Sequence, residues 1–64
     1  MYVKNFEVLI TTAGGRRSKA TFHTLEMAQE AASEAMRMKE QTGLTYLHIK
    51  MIRQDQVIIC KKFE

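Results

Sequence analysis

Residues 24–43, TLEMAQEAASEAMRMKEQTG, decide the fold because they carry the helical periodicity of the chain. At 3.6 residues per turn, the apolar side chains fall on about half of the circumference and the charged ones on the other half. Thr24 suits an N-cap, Glu26 adds favourable charge in the first turn, and Gly43 can adopt the left-handed conformation that ends a helix. We therefore expect one amphipathic helix of about four to five turns.

Small residues dominate the centre of the apolar stripe of this helix. The stripe comprises Leu25, Met27, Ala28, Ala31, Ala32, Ala35, Met36 and Met38. Alanines bury little area, but they let the helix axis approach a sheet closely. The bulky part of the core must therefore come from the strands on either side.

The segment before the helix predicts a β-hairpin. Residues 2–12 alternate, with Phe6, Val8 and Ile10 on one parity, which is typical of a half-buried strand. Residues 13–15, Ala-Gly-Gly, supply the left-handed backbone of a tight turn. Residues 16–23 then resume the alternation and form the second strand.

The segment after the helix predicts a second hairpin whose register the sequence leaves open. Residues 44–52 alternate, a turn follows at residues 53–56, and a last strand runs from 57 to about 63. A two- or four-residue loop, which we favour on loop-length preference, buries Cys60 and Ile58. It places Val57, Ile59, Lys61 and Phe63 outside. A three- or five-residue loop reverses the strand, burying Val57, Ile59 and Phe63 and exposing Ile58, Cys60 and Lys62.

These elements predict a single α+β domain over residues 1–64, in the order ββαββ, with one helix packed on one face of a four-stranded antiparallel sheet. One helix covers one face, so the opposite face is left to water or to a partner, and we expect function there. By parity this face carries Glu7, Leu9, Thr11, Arg17, Lys19, Thr21, His23, Tyr46, His48 and Lys50, with Lys61 and Phe63 in the favoured register.

Size and cysteine content bound the class of protein. With 64 residues the core is thin, and domains of this size usually need a disulfide, a metal or self-association. Cys60 is the only cysteine, so an intrachain disulfide is excluded and self-association is the default expectation. The N-terminus shows no signal peptide and no apolar run could span a bilayer, so we expect a cytoplasmic protein that does not enter a membrane.

Nothing in the sequence indicates an enzyme, a cofactor or a small-molecule substrate. His23, His48 and Cys60 lie on different predicted strands without the short spacing of metal ligands. Cys60 would neighbour His48 only in the less favoured register, and no acidic residue is evidently placed to orient that imidazole. We therefore expect Cys60 to be an inert, partly buried thiol.

The net charge of +3 is modest, but its distribution is uneven. The helical segment is net acidic, so the basic charge lies outside it and concentrates at the first hairpin tip, Gly14-Gly15-Arg16-Arg17-Ser18-Lys19. This spacing is not that of a P-loop. The tip predicts either solubilising charge or contact with a phosphate backbone.

Residues 8–31 resemble the arm-type DNA-binding domain of phage integrases. That family has a glycine-tipped basic hairpin, a strand ending near Phe-x-Thr, and a helix that opens with an acidic residue and alanines. The matching residues here are Gly14, Gly15, Arg16, Arg17, Lys19, Phe22, Thr24, Glu26, Ala28 and Ala31. The resemblance implies that Arg16, Arg17 and Lys19 meet DNA. The family places three strands before its helix, where this chain has two.

Two functions follow, both non-enzymatic. The first is an interaction module that binds another protein chain or itself, as a homodimer, through the open sheet face. Its apolar centre would comprise Leu9, Tyr46, Ile52, Val57 and Ile59. The alternative is a nucleic-acid-binding accessory protein of phage or mobile-element type. It would hold phosphates with Arg17, Lys19, Lys50 and Lys61 and stack bases on Tyr46, His48 and Phe63. The candidate binding surface common to both is Arg16, Arg17, Lys19, Tyr46, His48 and Lys50.

Overall fold

Two antiparallel hairpins flank a helical segment in the computed structural model, which describes residues 4–63. The strands pair in the order β2-β1-β3-β4, and the helix packs on one face of this open sheet. The predicted α+β fold with the order ββαββ is confirmed. The elements are β1 (Phe6–Thr12), β2 (Arg17–Phe22), α1 (Leu25–Arg37), α2 (Lys39–Thr42), β3 (Leu44–Met51) and β4 (Gln56–Lys62).

The helix begins where the sequence indicates but is interrupted before its end. The Thr24 hydroxyl accepts a hydrogen bond from the Met27 amide at 3.2 Å, which satisfies one of the first-turn donors. Helix α1 ends at Arg37, and Met38, with φ −96° and ψ 15°, separates it from the single turn α2. The expected continuous helix to Gly43 is therefore wrong in this detail, and the residue type at Met38 does not signal the break.

Gly43 ends α2 in the left-handed conformation and touches the first hairpin. Its φ is 71°, and its carbonyl accepts a hydrogen bond from the Ala13 amide at 2.7 Å. A Cβ on Gly43 would lie 3.2 Å from the Ala13 Cβ. The glycine is thus needed both for its backbone conformation and for the close approach of the two segments.

The core lies between the helix and the two central strands. Its buried members are Val8, Ala28, Ala32, Leu44, Leu47 and Ile49. Leu47 and Ile49 are the largest fully buried side chains, and the alanines allow α1 to approach them, as the composition of the stripe predicts. Met27 and Met38, expected in the apolar stripe, are 46% and 48% exposed because they lie at its margins.

The last hairpin shows that the favoured register is wrong. Met51 pairs with Gln56, so the loop has the expected length of four residues, with Asp55 at a left-handed φ of 50°. The register then shifts between Ile49 and Lys50, so that Lys50 pairs with Val57 but Ile49 pairs with Ile59. The extra residue of this β-bulge reverses the parity of the rest of β4.

The reversal relocates the side chains that the sequence analysis assigned to β4. Cys60 pairs with His48 on the open face rather than with Ile49 inside. Lys61 reaches Met36 of the helix, with 3.8 Å between Nζ and Sδ, and Phe63 packs against the core. Neither Lys61 nor Phe63 lies on the open face, and Lys62 takes a place there beside Tyr46.

No helix within residues 4–63 has the length and apolar character needed to cross a membrane.

Candidate functional site

The open face is the side of the sheet opposite α1, and the register arranges it in three rows across the four strands. Each row runs from β2 through β1 and β3 to β4. The rows are Thr21-Glu7-Lys50-Val57, Lys19-Leu9-His48-Cys60 and Arg17-Thr11-Tyr46-Lys62. The structure thus brings five predicted binding residues, Arg17, Lys19, Tyr46, His48 and Lys50, onto one face. Arg16 lies beside them in the first turn, and His23 follows the last paired residue of β2.

A hydrogen-bonded network occupies the centre of the open face. His48 contacts Glu7 through Nε2, 3.2 Å from Oε2, and Tyr46 through Nδ1, 3.0 Å from the hydroxyl. The Cys60 thiol lies 3.6 Å from the same Tyr46 hydroxyl. The His48 and Glu7 side chains are only 12% and 17% exposed although they face away from the helix. The centre of the face is therefore packed and internally satisfied.

The chemistry of the partners gives the network a direction. A carboxylate oxygen only accepts, so in neutral His48 the N–H lies on Nε2 and donates to Glu7. Nδ1 then accepts from the Tyr46 hydroxyl, whose oxygen accepts from the Cys60 thiol. The thiol beside its hydroxyl, together with burial, raises the pKa of Tyr46 above its usual range. Both imidazole nitrogens are engaged, so the network fixes four side chains in place.

This network corrects two expectations about Cys60. The thiol is exposed rather than partly buried, and it neighbours His48 across the strands because of the bulge in β4. An acidic residue, Glu7, does orient the imidazole, contrary to the sequence analysis. The thiol nevertheless contacts Tyr46 and not the imidazole, so the geometry differs from that of a cysteine beside its general base.

Cations surround this centre. Lys19 lies 3.8 Å from Glu7, and Lys50 lies 2.8 Å from Asp55 in the adjoining turn. The latter contact raises the pKa of Lys50 and lowers that of Asp55, because each charge stabilises the other. Within residues 4–63, the ion pairs do not include Arg16 or Arg17, which are both exposed at the hairpin tip.

The aromatic side chains do not form flat platforms. The Tyr46 and His48 rings meet edge to face, with centroids 5.5 Å apart and an interplanar angle of 86°. Phe63, expected to stack bases on the open face, instead lies under Lys39, whose ammonium is 4.7 Å from the ring centroid. The stacking surface predicted from these three residues is therefore not assembled.

No group of three or more metal-ligating side chains that could hold an ion occurs within the described part of the chain. His48 and Cys60 are neighbours, but the half-buried His23 lies beyond the paired part of the opposite edge strand β2. The three candidate ligands of the sequence analysis do not come together.

Two grooves border the helix because α1 covers only the middle of its face of the sheet. The groove toward β2 has a volume of 150 Å³ and is lined mainly by aliphatic groups: Val8, Ile10, Ala20, Ala31 and Ala35, with Ser18 and Lys19. The groove toward β4 has a volume of 290 Å³ and includes Met36, Ile59 and Lys61. Sequence reasoning missed the first groove, although the small residues Ser18 and Ala20 in β2 were a readable signal.

A larger depression of 530 Å³ follows the polar side of α1 between Glu26 and Arg37. One helix supplies every lining residue, so no second wall encloses a ligand there.

No protein-family model, curated protein or solved structure matches the chain.

Proposed function

We propose that this chain is a non-enzymatic interaction module that binds a protein partner, or a second copy of itself, through the open sheet face. The observation that supports the proposal is the contrast between the two faces of the sheet. One face is covered by α1, whereas the other holds a packed centre of Leu9, Tyr46 and His48 that no element of residues 4–63 covers. A preordered surface with a half-buried centre and a charged rim has the anatomy of a protein interface.

Two features favour a protein over unpaired bases on this face. The edge-to-face packing of Tyr46 and His48 engages the rings with each other, so they offer no parallel surface for stacking. Apolar side chains are exposed at one end of the face, where Ile52 is 40% and Val57 is 46% exposed. Association would cover these side chains and add apolar contacts to a domain whose own core is small.

A matched pair of substitutions tests this proposal. Val57→Glu places a negative charge opposite Lys50 at the edge of the open face, and Met27→Glu makes the same change on α1 at the same exposed fraction of 46%. Sedimentation from micromolar to millimolar concentration measures self-association, and NMR shifts on labelled protein locate the contact. We expect Val57→Glu to lose the association and Met27→Glu to keep it.

Either of two results would contradict the proposal. In the first, wild-type protein stays monomeric and shows no NMR shifts on the open face as its concentration rises, and affinity purification recovers the same partners, or none, with wild-type protein and with Val57→Glu. The second is equal loss of association in the two variants, because the open face would then play no special part.

A second candidate function is nucleic-acid binding by the hairpin tip, and it is favoured by the exposed Arg16 and Arg17, which form no ion pair within residues 4–63. Exposed cations of this kind are available to neutralise phosphates and release counterions. Titration with short DNA at low and moderate salt tests this function. Arg16→Glu with Arg17→Glu should abolish binding, and Arg53→Glu in the other hairpin turn is the control. Binding that is insensitive to salt or to the double substitution would exclude the tip as a DNA site.

We also infer a cytoplasmic location, because an exposed free thiol such as Cys60 persists in a reducing compartment.

A further inference from the structure

Strand β2 forms one edge of the four-stranded sheet. It pairs with β1 on one side, and no other strand of residues 4–63 lies beyond it. The Thr12 amide donates to the Arg16 carbonyl at 2.9 Å, so these two residues form a hydrogen-bonded pair. Hydrogen-bonded and non-hydrogen-bonded pairs alternate along an antiparallel ladder, so this bond determines which residues of β2 direct their backbone groups toward β1. In the observed register, the backbone groups of Ser18 and Ala20 then face β1, and those of Lys19 and Thr21 face outward. Outward N–H and C=O groups are a template for a further strand.

The side chains of β2 leave room for such a strand on the helix side. The residues of this strand from Arg17 to Thr21 are all exposed, because α1 packs mainly over β1 and β3 and covers β2 only in part. Ser18 and Ala20 are too small to close the resulting gap, which is the aliphatic groove of 150 Å³ defined above. An apolar groove of this volume has room for a compact hydrocarbon group. An incoming strand could therefore place apolar side chains over the groove.

The open-face side of β2 determines which charges a docking strand should carry. Arg17 and Lys19 point to the open face, the Lys19 side chain is 62% exposed, and Arg16 adjoins them in the turn. Side chains directly across an antiparallel pair interact, and like charges there are destabilising. A second copy of β2 paired symmetrically about Lys19 would set Lys19 against itself. An extended segment with acidic residues at these positions would instead form opposite-charge pairs.

We propose that β2 is the docking edge for an extended segment of a partner protein in which apolar and acidic residues alternate. The segment adds a fifth strand to the sheet, its apolar side chains over the groove beside Ala20 and its carboxylates beside Arg17 and Lys19. Main-chain hydrogen bonds provide affinity, and the two sides of the strand provide specificity. The inference rests on the proposed interaction function and names a partner class for it.

The test uses two synthetic peptides and the full chain. One peptide alternates valine and glutamate, and the control alternates valine and lysine. Amide hydrogen exchange on labelled protein should slow by about tenfold at Lys19 and Thr21 with the acidic peptide and stay unchanged with the basic one. Absence of this protection, equal protection by both peptides, or protection of β4 instead would overturn the proposal.

Proline substitutions sharpen the test because proline removes one N–H from an edge. Thr21→Pro removes an outward N–H of β2 and leaves the β1 ladder intact. Lys62→Pro is the matched control on β4, where the bond from the Phe63 amide to the Thr45 carbonyl makes the Lys62 N–H face outward. Thr21→Pro should weaken peptide binding by about tenfold or more, and Lys62→Pro should not. Equal affinity of the two variants for the acidic peptide would overturn the proposal. If a variant does not fold, hydrogen exchange of the wild-type protein with the two peptides decides the question.

Three further outcomes separate this inference from the open-face proposal. If Val57→Glu loses association and the acidic peptide does not protect the β2 amides from exchange, the edge proposal is wrong and the open-face proposal is supported. If the Lys19 and Thr21 amides become protected when the protein alone is concentrated, the strand that docks on β2 is a second copy and not an acidic segment. If DNA protects these amides and the acidic peptide does not, the ligand of this edge is a nucleic acid.

Discussion

The two hairpins are both antiparallel, but they differ in what holds them. In the first, β2 contributes exposed residues from Arg17 to Thr21 and depends on its ladder with β1 and on the turn at Gly15. In the second, β3 buries Leu44, Leu47 and Ile49, and β4 adds partly buried side chains. Burial of apolar surface is the main favourable term in folding. The central and second-hairpin strands therefore hold the fold, which leaves β2 available for another role.

The largest effect should come from the buried strand of the second hairpin. Leu47 is 0% exposed, so Leu47→Ala removes buried methyl groups and leaves a cavity. We expect the free energy of unfolding to fall by about 3 kcal/mol, much of the stability of so small a domain. Val57→Ala, at a side chain that is 46% exposed, is the control and should shift the urea midpoint little. Similar shifts of the urea midpoint in the two variants would contradict the difference in stabilisation between the buried core and the exposed edge of the sheet.

The junction between the two hairpins should give the next effect. Gly43→Ala forces a side chain into a left-handed conformation and toward the Ala13 Cβ at 3.2 Å, which should cost about 1–2 kcal/mol. Gly14→Ala is the matched control, because a Cβ there meets no atom within 4 Å and the φ of Gly14 is not positive. Urea denaturation of both variants measures the difference. A Gly43→Ala variant as stable as Gly14→Ala would show that the close approach is not required.

Alternation in the sequence was sufficient to predict one face of this molecule. The parities of β1, β2 and β3 place Glu7, Lys19 and His48 on the open face, and the register confirms that placement. Their actual contacts depend on which residues pair, since Glu7 reaches His48 diagonally rather than along its own row. Parity fixes the face of a side chain, but pairing between distant strands fixes its neighbours.

The bulge in β4 marks the limit of sequence reasoning. The loop length was predicted correctly, yet one extra residue at Ile58 moved Cys60 to the open face and Phe63 to the core. No glycine or proline in residues 56–62 announces this bulge. The bulge turns Ile59 and Phe63 toward the core. Their burial depends on the assembled core and not on the local sequence. The part of the site that contains Cys60 was therefore unpredictable from alternation alone.

A moderate effect should follow from loosening the turn of the second hairpin. Asn5 lies before β1 and holds this turn, because its Oδ1 accepts from the Arg53 amide at 2.8 Å and its Nδ2 donates to Gln54 at 3.1 Å. Asn5→Ala should cost about 1 kcal/mol and speed hydrogen exchange of the Arg53 amide. Gln54→Ala removes only the second contact and should have the smaller effect. Equal exchange rates for Arg53 in the two variants would contradict a role for Asn5 as a clamp.

The smallest effect should be a pH dependence confined to the same turn. Lys50, 2.8 Å away, lowers the pKa of Asp55. A carboxyl whose pKa is lower in the folded state stabilises the fold above its unfolded pKa of about 3.9, and the contribution is lost as the pH falls through the folded value. Asp55→Asn should remove this acid-dependent contribution while keeping the turn, because asparagine tolerates the φ of 50°.

NMR titration of the Asp55 carboxyl measures the shift directly. Lys50→Met should return the Asp55 pKa toward its ordinary value, since Lys50 supplies both causes of the lowering, the hydrogen bond and the opposite charge. Because the Asp55 side chain is 86% exposed, added salt should weaken the effect in wild-type protein. An Asp55 pKa that does not change in Lys50→Met would mean that this ion pair does not form in solution, and the turn would then depend on Asn5 and the left-handed Asp55 backbone.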